Sequence, residues 1–432
     1  MRRAAALLAA LLAVAAVVRS PRREPRPDVV LILIDTLRRD HLPAYGYPVD
    51  TAPFLTRLAR AGVVFENAYT TAPWTAPATA SLHTGLYPFQ HGVVTGRLAV
   101  KKLKEQGAPV RLNRIPRRAQ TLAEAMQRAG YETWAVTENA NITKDLGFDQ
   151  GFDHFHSKSP SREADAISDT LLSQRERMRG GRPDFVYLHY MDVHAPNAGR
   201  PPLFDPGLTG LAREISAYDS ELRYLDSHIE RSAAALGWNE GAVVIVTADH
   251  GEEFHEHGLF GHARTLYAEV LNVPLLVHAP GRFAPSRVAE RVSHVDVLPS
   301  LRELVGLAPA PADAGLSLLP LLEGRARRLP PRALFADLWH ATYSERKRFL
   351  TATIEGEWKL IEGAPEGPML FHLDRDPLDL RNRHDAYPRI AARLRGQQRT
   401  AERKLLRFPP EFEDSVQDAA TNEDLRALGY VN

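Results

Sequence analysis

The chain has no cysteine among its 432 residues. Disulfides, thiolate metal sites and a cysteine nucleophile are therefore excluded, although that absence says nothing about compartment. A charge excess is missing too: 54 basic residues stand against 53 acidic ones, so the balance gives no reason to expect nucleic acid as a partner. Nor is there an apolar run of the about 20 residues that a membrane span needs. The run from Ala4 to Val18 is shorter, follows Arg2-Arg3 and meets Arg19-Ser-Pro-Arg-Arg. A charged start and an apolar stretch of this length read as an export signal, which predicts a periplasmic or otherwise extracytoplasmic protein. Val-Arg-Ser before Pro21 is a poor cleavage site, so the alternative is an uncleaved anchor, a membrane tether with residues 19–27 as its linker.

Ligand-type side chains are what the chain has in quantity, and they are concentrated in Val243 to His262, VVIVTADHGEEFHEHGLFGH. The apolar run fits a strand buried on both faces. Its tip delivers Asp249 and His250, a carboxylate and an imidazole at the carboxyl end of a strand, where open α/β sheets gather their ligands; metal binding is expected there. Glu252 to His257 alone read as a solvated loop. Asp28-VVLILI-Asp35-Thr36 repeats the pattern, so a second strand ends in Asp35, which is either a ligand brought to the same edge or a helix cap.

Other stretches fill in an α/β fold. Strands are expected at Val63–Phe65, Thr133–Thr137, Phe185–Met191 and Leu275–His278, with helices at Thr56–Ala61, Thr121–Ala129, Ile215–Ile229 and Val295–Leu304. Asp192 and His194 follow the third of these strands. His189 within it reads as a packed strand histidine, while His194 is balanced between structure and function. Asp219 and Asp226 on the long helix are expected to be solvated. Thr75, opening the Thr75-Ala-Pro-Ala-Thr79 step, reads first as a helix cap. Lys101 to Arg118 is expected to be an exposed basic loop. The Pro- and Arg-rich stretch from Ala308 to Arg332 holds the domain boundary. This gives a tether over 1–27, a catalytic domain over 28–330, and a small unit over 331–432 with antiparallel strands and a basic amphipathic helix at Ile390–Leu406. Nothing in the sequence sets an oligomeric state.

Several spaced motifs then resemble one family, the sulfatases of the alkaline phosphatase superfamily. These are Asp28-VVLILIDTLRRDHL-Pro43, Thr75-APATASLHTGLYPFQHG, Tyr187-LHYMDVHAP, Thr247-ADHGEEFHEHGLFGH, Phe371-HLDRDPLDLRN and Leu425-RALGYV. The resemblance implies an alkaline-phosphatase-like α/β fold, with a central, mostly parallel mixed sheet between helices and a small C-terminal α+β subdomain. It implies metal ligands at Asp35, Asp249 and His250, and a nucleophile that also ligates the metal at Thr75, displacing the capping reading. His194 and His262 fall where the family places groups beside the substrate's oxygens or leaving group.

Two departures redirect the chemistry. Sulfatases carry Cys or Ser, converted to formylglycine, with Arg four residues later; Thr75 and Thr79 stand there, and threonine cannot become formylglycine. A second Asp of the first ligand loop is replaced by Thr36, which removes a hard charged ligand. One manganese, magnesium or zinc ion is therefore expected over calcium, with a second ion as an alternative. A threonine ester is released by attack at its central atom, which suits phosphorus better than sulfur. The expectation is a metal-dependent hydrolase or transferase of phosphate mono- or diesters, acting on an anionic ester substrate. The alternatives are a sulfatase, a two-metal phosphodiesterase recruiting Asp192, His194 and His262, and a non-catalytic binding protein.

Overall fold

The computed structural model describes residues 26–97, 111–157, 163–178, 180–341 and 346–414. The N-terminal apolar segment, the first part of the basic stretch and Leu425–Val431 lie outside them. No helix among the described residues is long and apolar enough to cross a membrane.

Eight strands form the main sheet: β1 (Val29–Ile34), β2 (Val63–Tyr69), β4 (Glu132–Thr137), β5 (His154–Ser157), β6 (Asp184–Tyr190), β7 (Val243–Ala248), β10 (Asn272–His278) and β11 (Ser286–Ser293). Their order is β11-β2-β10-β7-β1-β6-β4-β5, and β10 alone runs against the rest. The near-continuous Val, Ile and Leu runs of β1, β6 and β7 follow from this position, because central strands of a mostly parallel sheet are covered on both faces.

Two groups of helices cover the sheet. One comprises α1 (Pro53–Arg60), α4 (Ala164–Leu172) and α5 (Gly210–Leu236); the other comprises α2 (Thr75–Thr84), α3 (Leu122–Arg128) and α6 (Val297–Leu304). Strand β4 touches a member of each. The helical spacing of α5 was legible, but the expected solvation of its two acids is overturned. Asp219 and Asp226 are 4% and 1% exposed. Asp219 accepts from the Tyr47 hydroxyl at 2.6 Å and faces His41 Nδ1 at 2.7 Å. Asp226 accepts the backbone N–H groups of Phe54 and Leu55 at 2.8 and 2.9 Å, capping α1 from a distance, since Ala52 at its N-cap has no side chain to do so.

After the main sheet, β12 (Leu334–Ala341), β13 (Arg346–Glu355), β14 (Trp358–Glu362) and β15 (Met369–His372) form a small antiparallel sheet. Helix α7 (Pro388–Lys404) packs Ala391 and Leu394 against Trp358, Leu360 and Leu370 on it. Its other apolar cluster includes Tyr69, Leu266 and Leu271 from the main fold. Lys359, fully buried, pairs with Asp379 and donates to the Leu266 carbonyl at 3.0 Å, so a charged contact crosses this junction as well. The basic stretch is not all loop: β3 (Arg111–Arg114) pairs antiparallel with β16 (Glu411–Asp414), and Leu112, Asn113 and Ile115 are buried. A further short antiparallel pair is formed by β8 (Glu253–Phe254) and β9 (Phe260–Gly261).

Candidate active site

The register sets the site. Ile34 of β1 lies opposite Tyr190 of β6 and Ala248 of β7, so three chains leave the sheet at one level. The next residues are Asp35 on one side and Asp249-His250 on the other. Asp35, Asp249 and His250 are all 0% exposed. His250 Nε2 lies 3.3 Å from Asp249 Oδ2 and 3.8 Å from Asp35 Oδ1.

These three side chains leave polar atoms without partners. Asp35 Oδ1, Asp249 Oδ2 and His250 Nε2 have no hydrogen bond, although a buried polar group ordinarily finds one. Their remaining atoms are tied. Asp249 Oδ1 accepts the N–H of Thr36 at 3.1 Å and of His250 at 2.8 Å. His250 Nδ1–H donates to the Gly251 carbonyl at 2.9 Å, which fixes the tautomer whose Nε2 presents a lone pair. Burial pushes the His250 imidazole down to about 3, an effect deepened by His262, so it is neutral. Burial and the adjacent Asp35 charge push Asp249 well above the usual carboxylate range. Burial also opposes ionisation of Asp35, but the His189 hydrogen bond and the surrounding imidazoles outweigh it and hold Asp35 low. Two inward carboxylates and one oriented imidazole, each with an orphaned atom, fit a divalent cation.

Thr75 is the first residue of α2 and 2% exposed. It does not cap the helix: Trp74 is the N-cap residue and no side-chain cap bond forms. The Thr75 hydroxyl instead donates toward Asp35 Oδ2 at 3.4 Å. The helix behind it is buried along its whole length, and its N-terminus faces the carboxylates, a setting that favours an anionic ligand. Thr79, one turn later, is buried with its hydroxyl unpartnered. Thr36 adopts a left-handed φ of 55°, uncommon for a β-branched residue, and this turns its N–H onto Asp249.

The two further histidines stand alongside. His262 lies 4.5 Å from His250 and 5.1 Å from His194 between ring centroids. The Nδ1 of His262 contacts Glu252 at 3.3 Å, and that of His194 donates to the Ala195 carbonyl at 2.7 Å.

Every sequence-picked residue, Asp35, Thr75, His194, Asp249, His250 and His262, thus gathers at one sheet edge. Sequence reasoning missed three others. His189, expected to be core packing, places Nε2 3.3 Å from Asp35 Oδ2 and forms a ligand-type cluster with Asp35 and Asp249. Asn139 donates to the same oxygen at 2.8 Å. Their signal was positional: His189 is the penultimate residue of β6 and Asn139 lies just past β4, at the edge that carries Asp35. Glu252 is 1% exposed and holds His262, and Glu253 is also buried, so the expected solvated loop is corrected. Asp192 accepts the Ala164 N–H at 2.9 Å, ahead of α4, and does not join the cluster.

A family model described as Sulfatase matches residues 27–307, and one described as N-sulphoglucosamine sulphohydrolase, C-terminal, matches residues 255–404. The chain is 27% identical to arylsulfatase A of Homo sapiens, covering 81% of this chain and 82% of that one. It is 24% identical to choline-sulfatase of Rhizobium meliloti, covering 83% and 82%. Among solved structures, BT4656 in complex with its substrate D-glucosamine-2-N,6-O-disulfate superposes with a TM-score of 0.72 at 18% identity, over 87% of this chain and 98% of that one. The phosphonate monoester hydrolase of Silicibacter pomeroyi does so with a TM-score of 0.69 at 20% identity, over 88% and 96%.

Proposed function

The chain belongs to the sulfatase family, as an ester hydrolase acting on sulfate or phosphate esters, and from that premise we propose that it cleaves phosphate esters with Thr75 as nucleophile. The observation that carries the reading is the Thr75 hydroxyl, buried at a helix N-terminus and hydrogen-bonded to Asp35. Asp35, Asp249 and His250 would hold a divalent cation, with His189 and Asn139 fixing the second oxygen of Asp35. When bound, such an ion supplies Lewis acidity that lowers the pKa of a nearby hydroxyl and offsets charge on an ester oxygen.

The chain's own residues perform the rest. Asp35 orients the Thr75 hydroxyl and takes its proton on Oδ2 as Oγ1 attacks phosphorus, forming the threonine ester. The P–O bond to the alcohol breaks in line, and His194 or His262 gives the departing oxygen its proton. Water then gives a proton to the histidine that lost one and attacks the same phosphorus, the bond to Thr75 Oγ1 breaks as that oxygen regains its proton from Asp35, and inorganic phosphate or a monoester leaves. Because the nucleophile is a threonine, water must strike the central atom in this second step. That requirement favours phosphorus over sulfur.

A sulfate ester is the second reading, supported by the sulfatase relatives. Export to an extracytoplasmic compartment, through the segment from Arg2 to Val18, completes the proposal. Aryl phosphates, phosphodiesters and aryl sulfates assayed with manganese or zinc separate the two esters. Thr75→Ala should lower turnover by about 10³-fold or more and abolish any phosphoryl adduct seen by intact mass, while Thr75→Ser keeps both. Wild-type rates in the alanine variant sink the mechanism.

A further inference from the structure

A second polar concavity lies on the C-terminal subdomain. It measures about 250 Å³ and sits between the start of β14, the end of β15 and the entry to α7. Trp358, His372 and Tyr387 supply its aromatic wall. Trp358 lies 4.7 Å from His372 and 4.9 Å from Tyr387 between ring centroids, and Tyr387 is 44% exposed.

The other wall is cationic. Arg375, Arg381 and Arg383 line it, and no guanidinium of the three has an ion pair or hydrogen bond among the described residues. Other arginines nearby are paired: Arg395 with Glu362 at 2.7 Å, Arg393 with Glu355 at 2.9 Å, and Arg291 with Asp374. The one carboxylate in the lining, Asp376, is already committed, accepting the backbone N–H groups of Leu380 and Arg381 at 2.9 and 2.8 Å.

The loop carrying the arginines is tied down. Arg375 and Asp376 both donate their N–H to the His372 carbonyl, Arg383 N–H donates to the Leu370 carbonyl at 2.7 Å, and Asn382 accepts the N–H groups of Leu370 and His384. Asp379, at a left-handed φ of 56°, turns its carboxylate inward to Lys359. Three exposed guanidinium groups outnumber the single carboxylate of the lining, so the pocket carries net positive charge that attracts an anion.

We infer that this pocket binds a sugar ring bearing a sulfate or phosphate group, apart from the catalytic centre. The guanidinium groups of Arg375, Arg381 and Arg383 take the oxyanion, and Tyr387 offers its exposed ring to the sugar's apolar face. The volume falls just below the about 300–1,000 Å³ of drug-sized clefts, so one charged ring fits and a chain does not. The assignment stands whichever ester the catalytic centre cleaves.

Isothermal titration on the full-length chain tests it, using glucose 6-phosphate, glucose 6-sulfate, glucose and inorganic phosphate as probes. The Arg381→Glu, Arg383→Glu double variant should weaken the sugar esters at least tenfold, with its melting temperature and its turnover of a small aryl ester within twofold of wild type. Arg381→Lys, Arg383→Lys should restore most of the binding, and Tyr387→Ala should weaken the sugar esters more than inorganic phosphate. Equal binding of the esters to wild type and the glutamate variant overturns the site. Inorganic phosphate binding as tightly as the sugar esters overturns the sugar half of the assignment.

Discussion

Two sets of buried carboxylates divide the molecule. On α5, Asp219 and Asp226 have a partner for every oxygen: His41 and Tyr47 for one, the N–H groups of Leu55 and Phe54 for the other. At the strand ends, Asp35 and Asp249 are buried as deeply, yet each keeps an oxygen without a donor, both facing the bare Nε2 of His250. Burial does not separate the sets; completeness of hydrogen bonding does. The satisfied acids anchor neighbouring segments, and the unsatisfied ones are the pair proposed to hold a cation.

Removing the cation from the second set should break the contrast most severely. Chelation, or Asp249→Asn, should abolish turnover. A metal present at a thousandfold excess over its dissociation constant stabilises the fold by about 4 kcal/mol, so chelation should also lower the melting temperature of the wild type. Asp249→Asn should show no such chelation-dependent fall. Calorimetry with and without chelator reads this, and identical curves for untreated and chelated wild type would remove the cation from the account.

Substitution in the first set should do the reverse. Asp226→Ala strands the Phe54 and Leu55 N–H groups at the start of α1 and should cost about 1–3 kcal/mol of stability. Turnover per folded molecule should stay near wild type. A large loss of turnover without destabilisation would place Asp226 in the wrong set.

Asp192 tests the middle ground and carries the smallest effect. One of its oxygens accepts the Ala164 N–H and the other is unpartnered. Burial, with help from the charges of Glu221 and Glu163, pushes its pKa from 3.8 up to about 8. The folded state therefore keeps a proton that the unfolded chain releases near pH 4. The resulting stability is full below that point and is lost as pH rises through about 8. Asp192→Asn keeps an accepting oxygen and removes the titration, so its stability advantage over wild type should grow from pH 5 to pH 9 by about 1–3 kcal/mol. Denaturant melts across that range decide the point; parallel curves would show that Asp192 does not titrate there.

The same contrast explains what was readable in the sequence. Continuous apolar runs gave β1, β6 and β7, and residues just beyond them gave Asp35, Asp249 and His194, because strand ends need no tertiary detail to be located. The proposed nucleophile position required the motif as a whole, since a threonine before a helix looks the same whether it caps or ligates. His189 escaped because period-two alternation places it inside a strand without saying that the strand ends one residue later at a cluster. Asp219, Asp226, Glu252 and Glu253 escaped for a different reason. Their partners, such as Tyr47, Phe54 and Thr265, lie on distant segments, and only the packed chain shows that a charged residue has been enclosed.

The level ends of β1, β6 and β7 also impose a schedule on maturation. Asp35 meets His189 across 154 residues of chain, and Thr36 meets Asp249 across 213. Contacts that distant form only after the entropy of closing long loops has been overcome, and parallel pairing is among the slower routes. A nascent or half-assembled chain therefore contains the ligand residues but no cage. For the proposed cation site, capture would be the closing event of assembly, and the metal content of a preparation should count the molecules whose central strands have found their register.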